Sequence, residues 1–225
     1  MQTMPSTAFH HYLARLAGPA TGPVTDSHSE RKLWRDDEGR IQGKFFSCSL
    51  TSVFQPVRGI GGELFGFEAQ AQSYAKQDRG LSVWRLLNNA ASDNESIELD
   101  RLCRMLHVLN FFRQVPDPSA TLMIDVHERL LAAISDNHGA VFRRIVDGLD
   151  LPANRIVLQL PSTGARYQWA IGCVIDSYRR HGFRVATRAA NAEEALRQIG
   201  QLRPDVIRLD LHATGSADDL AELLD

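Results

Sequence analysis

At 225 residues, with 44% apolar and 23% charged side chains, the chain has the make-up of an ordinary globular protein, long enough for one large domain or two small ones. A formal net charge of −2 gives no electrostatic basis for binding nucleic acid, and no apolar run approaches the roughly 18 residues of a membrane-spanning helix. Cys48, Cys103 and Cys173 form neither a CxxC pair nor a disulfide framework, and no basic region followed by an apolar core opens the chain, so a reducing cytoplasm and no signal peptide are expected.

Residues 1–44 differ in character from the rest. Phe9, Tyr12, Leu13 and Leu16 share one face of a short helix if Ser6 caps it. A Gly/Pro-rich run at 18–23 ends that helix, and residues 26–40 are polar and charged. This composition reads as a loosely ordered leader; the apolar stripe and Trp34 are the only support for the sharper reading, a helix that docks on a partner.

Residues 52–72, SVFQPVRGIGGELFGFEAQAQ, read as a strand, a glycine turn at Ile60-Gly61-Gly62 and a second strand. Glu68 stands alone as an acid among Leu64, Phe65, Phe67 and Ala69. Such an acid is either paired in the interior or functional, and burial tendencies favour pairing. Further on, residues 83–87 look helical, 88–96 interrupt with small polar residues, and 97–115 carry a helical stripe of Leu99, Leu102, Leu106, Leu109 and Phe112 that Pro116-Asp117-Pro118 stops. From there strands at 121–126, 155–160, 183–186 and 206–211 alternate with helices at 130–134, 140–149, 165–180, 191–202 and 216–224; Asn191 is a good cap with Glu193 and Glu194 behind it. Repeated strand–helix units with short apolar strands mean a parallel sheet covered by helices, and no Gly-rich phosphate loop opens any of these helices.

Phe54-Gln55-Pro56-Val57 and Gly66-Phe67-Glu68-Ala69 carry a family likeness. The stretch resembles the opening of an EAL domain, the cyclic-di-GMP phosphodiesterase family, whose first strands read FQP(I/V) and GFEAL-x-R. Gln70 stands where the family has Leu, and Gln72 where it has Arg. The resemblance runs from about Phe46 to Leu211 and implies a TIM-like (β/α) barrel with an antiparallel first strand, its working residues at the C-terminal strand ends. Residues 45–225 are therefore expected to form one degenerate EAL-like domain behind the leader. The six strands counted fall short of the eight or so of a closed barrel, so a barrel incomplete at the C-terminus is expected, its edges covered by the leader or a second subunit.

The family holds two divalent cations, Mg²⁺ or Mn²⁺, on oxygen ligands and uses them to activate water against a phosphodiester. By resemblance Glu68 is the EAL glutamate; Asp125 takes the place of the VNxS asparagine and His127 that of its serine; Gln159 replaces the glutamate of E(I/L)TE. Thr187 and Arg188 replace the two aspartates of DDFGTG, and Arg208-Leu209-Asp210 matches KID. Leu99-Asp100 matches an LDxxxL setting, though locally Asp100 reads as a helix-surface or loop-pairing residue. Three family carboxylates are thus lost and one gained, and Arg188 puts a permanent cation where a dication would sit. No hydrolysis and no metal or other cofactor are expected.

The expected function is a catalytically inactive signalling module that acts through protein contacts in cyclic-di-GMP or motility regulation. The alternatives are a cyclic-di-GMP receptor without hydrolysis and, at greater distance, an active phosphodiesterase. Glu68, Gln70, Gln72, Asp125, Gln159, Arg188, Arg208 and Asp210 are the candidate ligand-contacting residues at the former active site, with Glu68 expected to pair with Arg188 or Arg208. A protein partner is expected, a homodimer being one form of it; cyclic-di-GMP is open as a ligand, and nucleic acid and membrane are not expected. His107, His127 and His181 match no metal-ligand spacing and read as surface or helix-end residues, while Cys103 and Cys173 read as core. Ser162-Thr163 forms no nucleophile elbow.

Overall fold

The computed structural model describes residues 7–17, 33–46, 48–73, 92–128, 131, 139–161 and 168–209. Their strands are β1 (Leu33–Arg35), β2 (Ile41–Phe45), β3 (Cys48–Arg58), β4 (Leu64–Ser73), β5 (Thr121–Asp125), β6 (Ile156–Gln159), β7 (Arg184–Ala189) and β8 (Val206–Leu209). Their principal helices are α1 (Thr7–Ala17), α2 (Asp93–Gln114), α3 (Ala140–Gly148), α4 (Gln168–Arg180) and α5 (Ala192–Leu202). All eight strands form one sheet in chain order. β1 to β4 pair antiparallel and β4 to β8 parallel, which is the expected α/β, TIM-like arrangement with an antiparallel start. Among the described residues the sheet is not closed: β1 and β8 are its two ends. None of the described helices is long and apolar enough to cross a membrane.

Two strands precede the six read from sequence. The segment taken as a loosely ordered leader supplies β1 and β2, and β2 lies along the first part of β3. The turn between them is built by Asp36, whose carboxylate accepts from the Arg40 backbone N–H at 2.7 Å, from Arg40 Nε at 2.8 Å and from Gln42 Nε2 at 2.7 Å. Gly39 completes it at φ +79°, a conformation that needs no Cβ. A three-residue strand behind a charged turn has too short an apolar pattern to be legible in sequence. Two residues of the α1 stripe are also accounted for within the chain. Phe9 and Leu13 are buried in the chain's own core and α1 packs against β1, so these residues are not held out for a partner.

α2 starts four residues earlier than its apolar stripe, because Ser92 and Glu95 form a capping box: Ser92 Oγ accepts from the Glu95 N–H and the Glu95 carboxylate accepts from the Ser92 N–H. The helix lies across β2, β3 and β4 and packs Phe111 edge-on against Phe54 and Phe67. One residue back, buried Asn110 treats β2 as a neighbouring strand would. Its Oδ1 accepts from the Ile41 N–H and its Nδ2 donates to the Ile41 carbonyl, each at 2.8 Å. Asn110→Ala strips the buried Ile41 N–H of its acceptor and leaves the Ile41 carbonyl one donor fewer, and should cost about 1–3 kcal/mol, read as a lower denaturation midpoint with β2 the first strand to lose amide protection. An unchanged midpoint would mean that Thr51 Oγ1, which also donates to the Ile41 carbonyl, is enough to hold the edge.

The helices following β5 to β7 cover the outer face of the sheet and bury Leu122, Ile124, Ile156, Leu158 and Val185 beneath them. The inner face carries a smaller cluster of Met123, Val157 and Ala186, with Val57, Phe65 and Val206 against it. α5 is capped by Asn191, whose side chain accepts from the Glu194 N–H, with Glu193 and Glu194 in its first turn as read from sequence. The helices expected at 83–87 and 216–224, and that at 130–134 apart from residue 131, lie outside the described residues, as do Asp210, Ser162 and Thr163.

Candidate functional site

Strand alternation builds the site. Met123, Val157, Ala186 and Val206 face inward as an apolar layer, and two residues further along each strand stand Asp125, Gln159, Arg188 and Arg208. β4 contributes Glu68, two residues beyond Gly66. A Cβ at Gly66 would come within 2.3 Å of the Thr121 carbonyl oxygen, so only glycine lets β5 lie this close. The polar layer therefore sits one pleat above a packed floor, at the C-terminal ends of five parallel strands.

Its side chains close a ring. Glu68 Oε1 accepts from Arg188 Nη2 at 3.0 Å and from Arg208 Nη1 at 2.5 Å. The same Arg188 nitrogen lies 3.4 Å from both oxygens of Asp125, Gln159 Nε2 donates to Asp125 Oδ1, and Arg208 Nη1 reaches Gln159 Oε1 at 3.4 Å. The ring runs Glu68, Arg188, Asp125, Gln159, Arg208 and back to Glu68. Two carboxylates and two guanidiniums make it neutral. Burial pushes the Asp125 carboxyl above the usual carboxylate range, with the nearby Glu68 charge adding to the effect and Arg188 and Arg208 opposing it. A cavity of about 380 Å³ opens above the ring, lined among others by Glu68, Gln70, Asp125, Gln159, Pro161 and Arg188.

The arginines hold the sheet's curvature in view. β4 and β8 are four strands apart, about 19 Å across a flat sheet at 4.8 Å per strand. A 2.5 Å contact between Glu68 and Arg208 therefore requires the sheet to curl until its inner-face side chains meet. Arg188 and Arg208 are register partners on β7 and β8, so both guanidiniums arrive from the same side.

The structure gathers Glu68, Gln70, Asp125, Gln159, Arg188 and Arg208 from the candidates named by sequence. Glu68 was expected to pair with one arginine and pairs with both. Gln70 is exposed and lines the cavity without bonding the ring, its Nε2 lying 3.4 Å from Oε1 of Gln55, a residue not singled out as a site candidate from sequence although it is the register partner of Glu68. Gln72 is exposed further along β4 and does not line the cavity. Thr187 is buried on the pleat opposite Arg188, so it stays out of the ring. Asp210 lies outside the described residues.

Asp100, read from sequence as a helix-surface or loop-pairing residue, pairs within its own helix. It is half-buried and ion-paired with Arg104, Nε to Oδ2 2.7 Å, beside a second cavity of about 240 Å³. The Arg104 guanidinium lies over the Phe142 and Tyr178 rings, with 5.4 and 6.0 Å from its central carbon to the ring centroids. His107 and His127 are buried rather than on the surface; His107 Nδ1 pairs with Ser52 Oγ at 2.8 Å, and burial together with Arg104 pushes its pKa down to about 3. His181 does sit at a helix end, its Nδ1 bonded to the Ser177 carbonyl at 2.7 Å. Cys103 is buried as expected, but Cys173 is exposed.

The family model of the EAL domain matches residues 39–223. This chain belongs to the EAL domain family. Its match begins within the β1–β2 turn, so the domain reaches into the segment read as a leader. Among curated proteins no relative matches the sequence. Solved structures with the same fold include the Bacillus subtilis YkuI protein with an EAL domain, in complex with substrate c-di-GMP and calcium, at 17% identity and TM-score 0.56 over 73% of this chain and 41% of that one. A standalone EAL protein from Vibrio cholerae, c-di-GMP bound, shares 16% identity at TM-score 0.52 over 75% of this chain and 69% of that one. Klebsiella pneumoniae BlrP1, solved with manganese and c-di-GMP, shares 15% at TM-score 0.58, covering 81% and 47%. The chain thus spans less than half of two of these three proteins.

Among the described residues, the donors gathered at the strand ends do not fit the metal pair that the EAL family implies. Among the described residues no group of three or more His, Cys, Asp or Glu side chains converges to hold an ion. Glu68 has its Oε1 shared by two guanidinium N–H donors, and Gln159 directs an amide N–H₂ at Asp125. A dication at this place would meet two fixed positive charges.

Proposed function

We propose that this EAL domain is catalytically inactive and serves cyclic-di-GMP or motility signalling by binding, through contacts with a protein partner, in the cytoplasm and without a metal cofactor. The observation that carries this reading is the neutral five-residue ring, in which Arg188 and Arg208 occupy the carboxylate that a two-metal hydrolase would need for its cations. Activation of water by two metals needs several carboxylates with free oxygens, and here the side chains at those strand ends bond one another instead. A second reading, a cyclic-di-GMP receptor without hydrolysis, is favoured by the cavity kept above the ring and by the solved relatives whose structures contain c-di-GMP.

Incubating the protein with cyclic-di-GMP and Mg²⁺ or Mn²⁺ and separating the products by chromatography should give no linear dinucleotide. Turnover that responds to the metal and disappears in Glu68→Ala would overturn the inactive reading.

A further inference from the structure

The two arginines of the ring are not equivalent. Arg208 makes the shorter contact to Glu68, 2.5 Å, and its side chain is 29% exposed. Arg188 sits at 3.0 Å from the same oxygen, is 44% exposed, and is the one of the two that lines the cavity. Its contacts to Asp125 are long, 3.4 Å to each oxygen. If Arg188 turns away, Glu68 keeps Arg208 and Asp125 keeps the Gln159 amide, so neither carboxylate is stranded. If Arg208 turns away, Glu68 keeps only the more exposed and more distant partner, and Gln159 Oε1 loses its donor.

We propose that the arginines divide the work: Arg208 is the permanent counter-ion of Glu68, and Arg188 is a releasable cation that takes up a phosphate-type oxyanion directly from the cavity, with no metal between them. A guanidinium can exchange one carboxylate for a phosphate oxygen pair without changing its own charge, and the bidentate geometry of a phosphodiester suits its two outer nitrogens. The ring then acts as a store that holds Arg188 in place and solvated until an anion arrives. The anion-uptake half of this proposal rests on the receptor reading; the unequal roles of the arginines in the free protein do not.

The test uses the full chain in EDTA, with inorganic phosphate and cyclic-di-GMP as separate probes, and the variants Arg188→Gln, Arg188→Lys, Arg208→Gln and Arg208→Lys. Without ligand, Arg208→Gln should melt well below wild type, or fail to fold, while Arg188→Gln melts close to wild type; Arg208→Lys should recover part of the loss. Equal melting of the two glutamine variants would overturn the division of roles whatever binds. By calorimetry, wild type should bind cyclic-di-GMP in EDTA, Arg188→Gln should bind at least tenfold more weakly, and Arg188→Lys should fall between. Binding by inorganic phosphate with the same dependence on Arg188 would place recognition in the oxyanion alone; binding by the dinucleotide only would place it in the phosphodiester as carried by the nucleotide. Binding that needs Mn²⁺, or is unaffected by Arg188→Gln, overturns the uptake role. No binding by wild type with or without metal overturns the receptor reading and the uptake role together, and leaves the melting comparison to decide the counter-ion role.

Discussion

Replacing Glu68 by glutamine is expected to lower stability by about 3 kcal/mol, the lower end of the range for breaking a buried ion pair. The lower end applies because Glu68 is almost fully buried while both arginines keep contact with water, which screens the charges left behind. For a chain of this size that corresponds to a fall in Tm of roughly 6–12 °C. The sign follows from the ring. Without the carboxylate, Arg208 is left with neutral amide oxygens alone, and Arg188 with its long contacts to Asp125 as the one charged pairing. The double variant Glu68→Gln/Arg208→Gln removes one charge of each sign and should recover part of the loss, because no guanidinium is then left without its partner. Denaturant midpoints of the wild type, the two single variants and the double variant measure the coupling directly. Strictly additive losses would show that the ring contributes nothing beyond its separate side chains.

Acidification should destabilise the protein through His107. The imidazole is held neutral in the fold, its pKa pushed down to about 3 by burial and by the Arg104 cation, against an ordinary value of about 6.5 in the unfolded chain. A depressed pKa means that the unfolded state binds the proton more readily. The stability associated with the neutral ring is complete above about pH 6.5 and is lost as pH falls from there toward about pH 3, by about 1.4 kcal/mol per unit at most. The total is on the order of 5 kcal/mol. Asp100 and Asp125 act in the opposite sense, since burial raises both carboxyls, and a raised acid pKa adds stability as the pH drops through it. The difference between wild type and His107→Asn separates the two effects. Asparagine keeps a polar atom near Nδ1 for Ser52 and does not titrate, so the variant should lose some stability at neutral pH and show a flatter profile between pH 6.5 and 4. Parallel profiles for the two proteins would exclude His107 as the titrating group.

The sheet from β3 onward was legible in the sequence because each strand is a short apolar run set off by turn residues and each described helix behind it carries its own cap or stripe. Gly59 to Glu63 closes the hairpin, Asn191 caps α5, and the family likeness at Phe54-Gln55-Pro56-Val57 and Gly66-Phe67-Glu68-Ala69 placed Glu68 at a mouth. What escaped was structure whose signal is short or non-local. β1 has three residues, and β2 gains its place partly from Asn110, nearly seventy residues away, so no window of sequence contains the bond that defines it. The start of α2 escaped because Ser92 and Glu95 precede the apolar stripe, and a capping box is polar by nature. The histidines were misread because burial of a polar group depends on what lies on both sides of it: His107 stands on a helix that also carries Arg104 and Asn110 inward.

The residues of the mouth follow from sequence alone. Arg188 and Gln159 stand where the family carries acids, and strand alternation sends Asp125, Gln159, Arg188 and Arg208 to the same face. Their mutual satisfaction does not follow from sequence. Whether Arg188 and Arg208 reach Glu68 depends on the curl of the sheet between β4 and β8, and that curl is set by the twist of every strand between them and by how closely they pack, Gly66 against Thr121 among them. Strand alternation has a period of two residues and can be counted along the chain; the separation of two strand ends across a barrel mouth is a sum over the whole sheet, and only the folded molecule performs it.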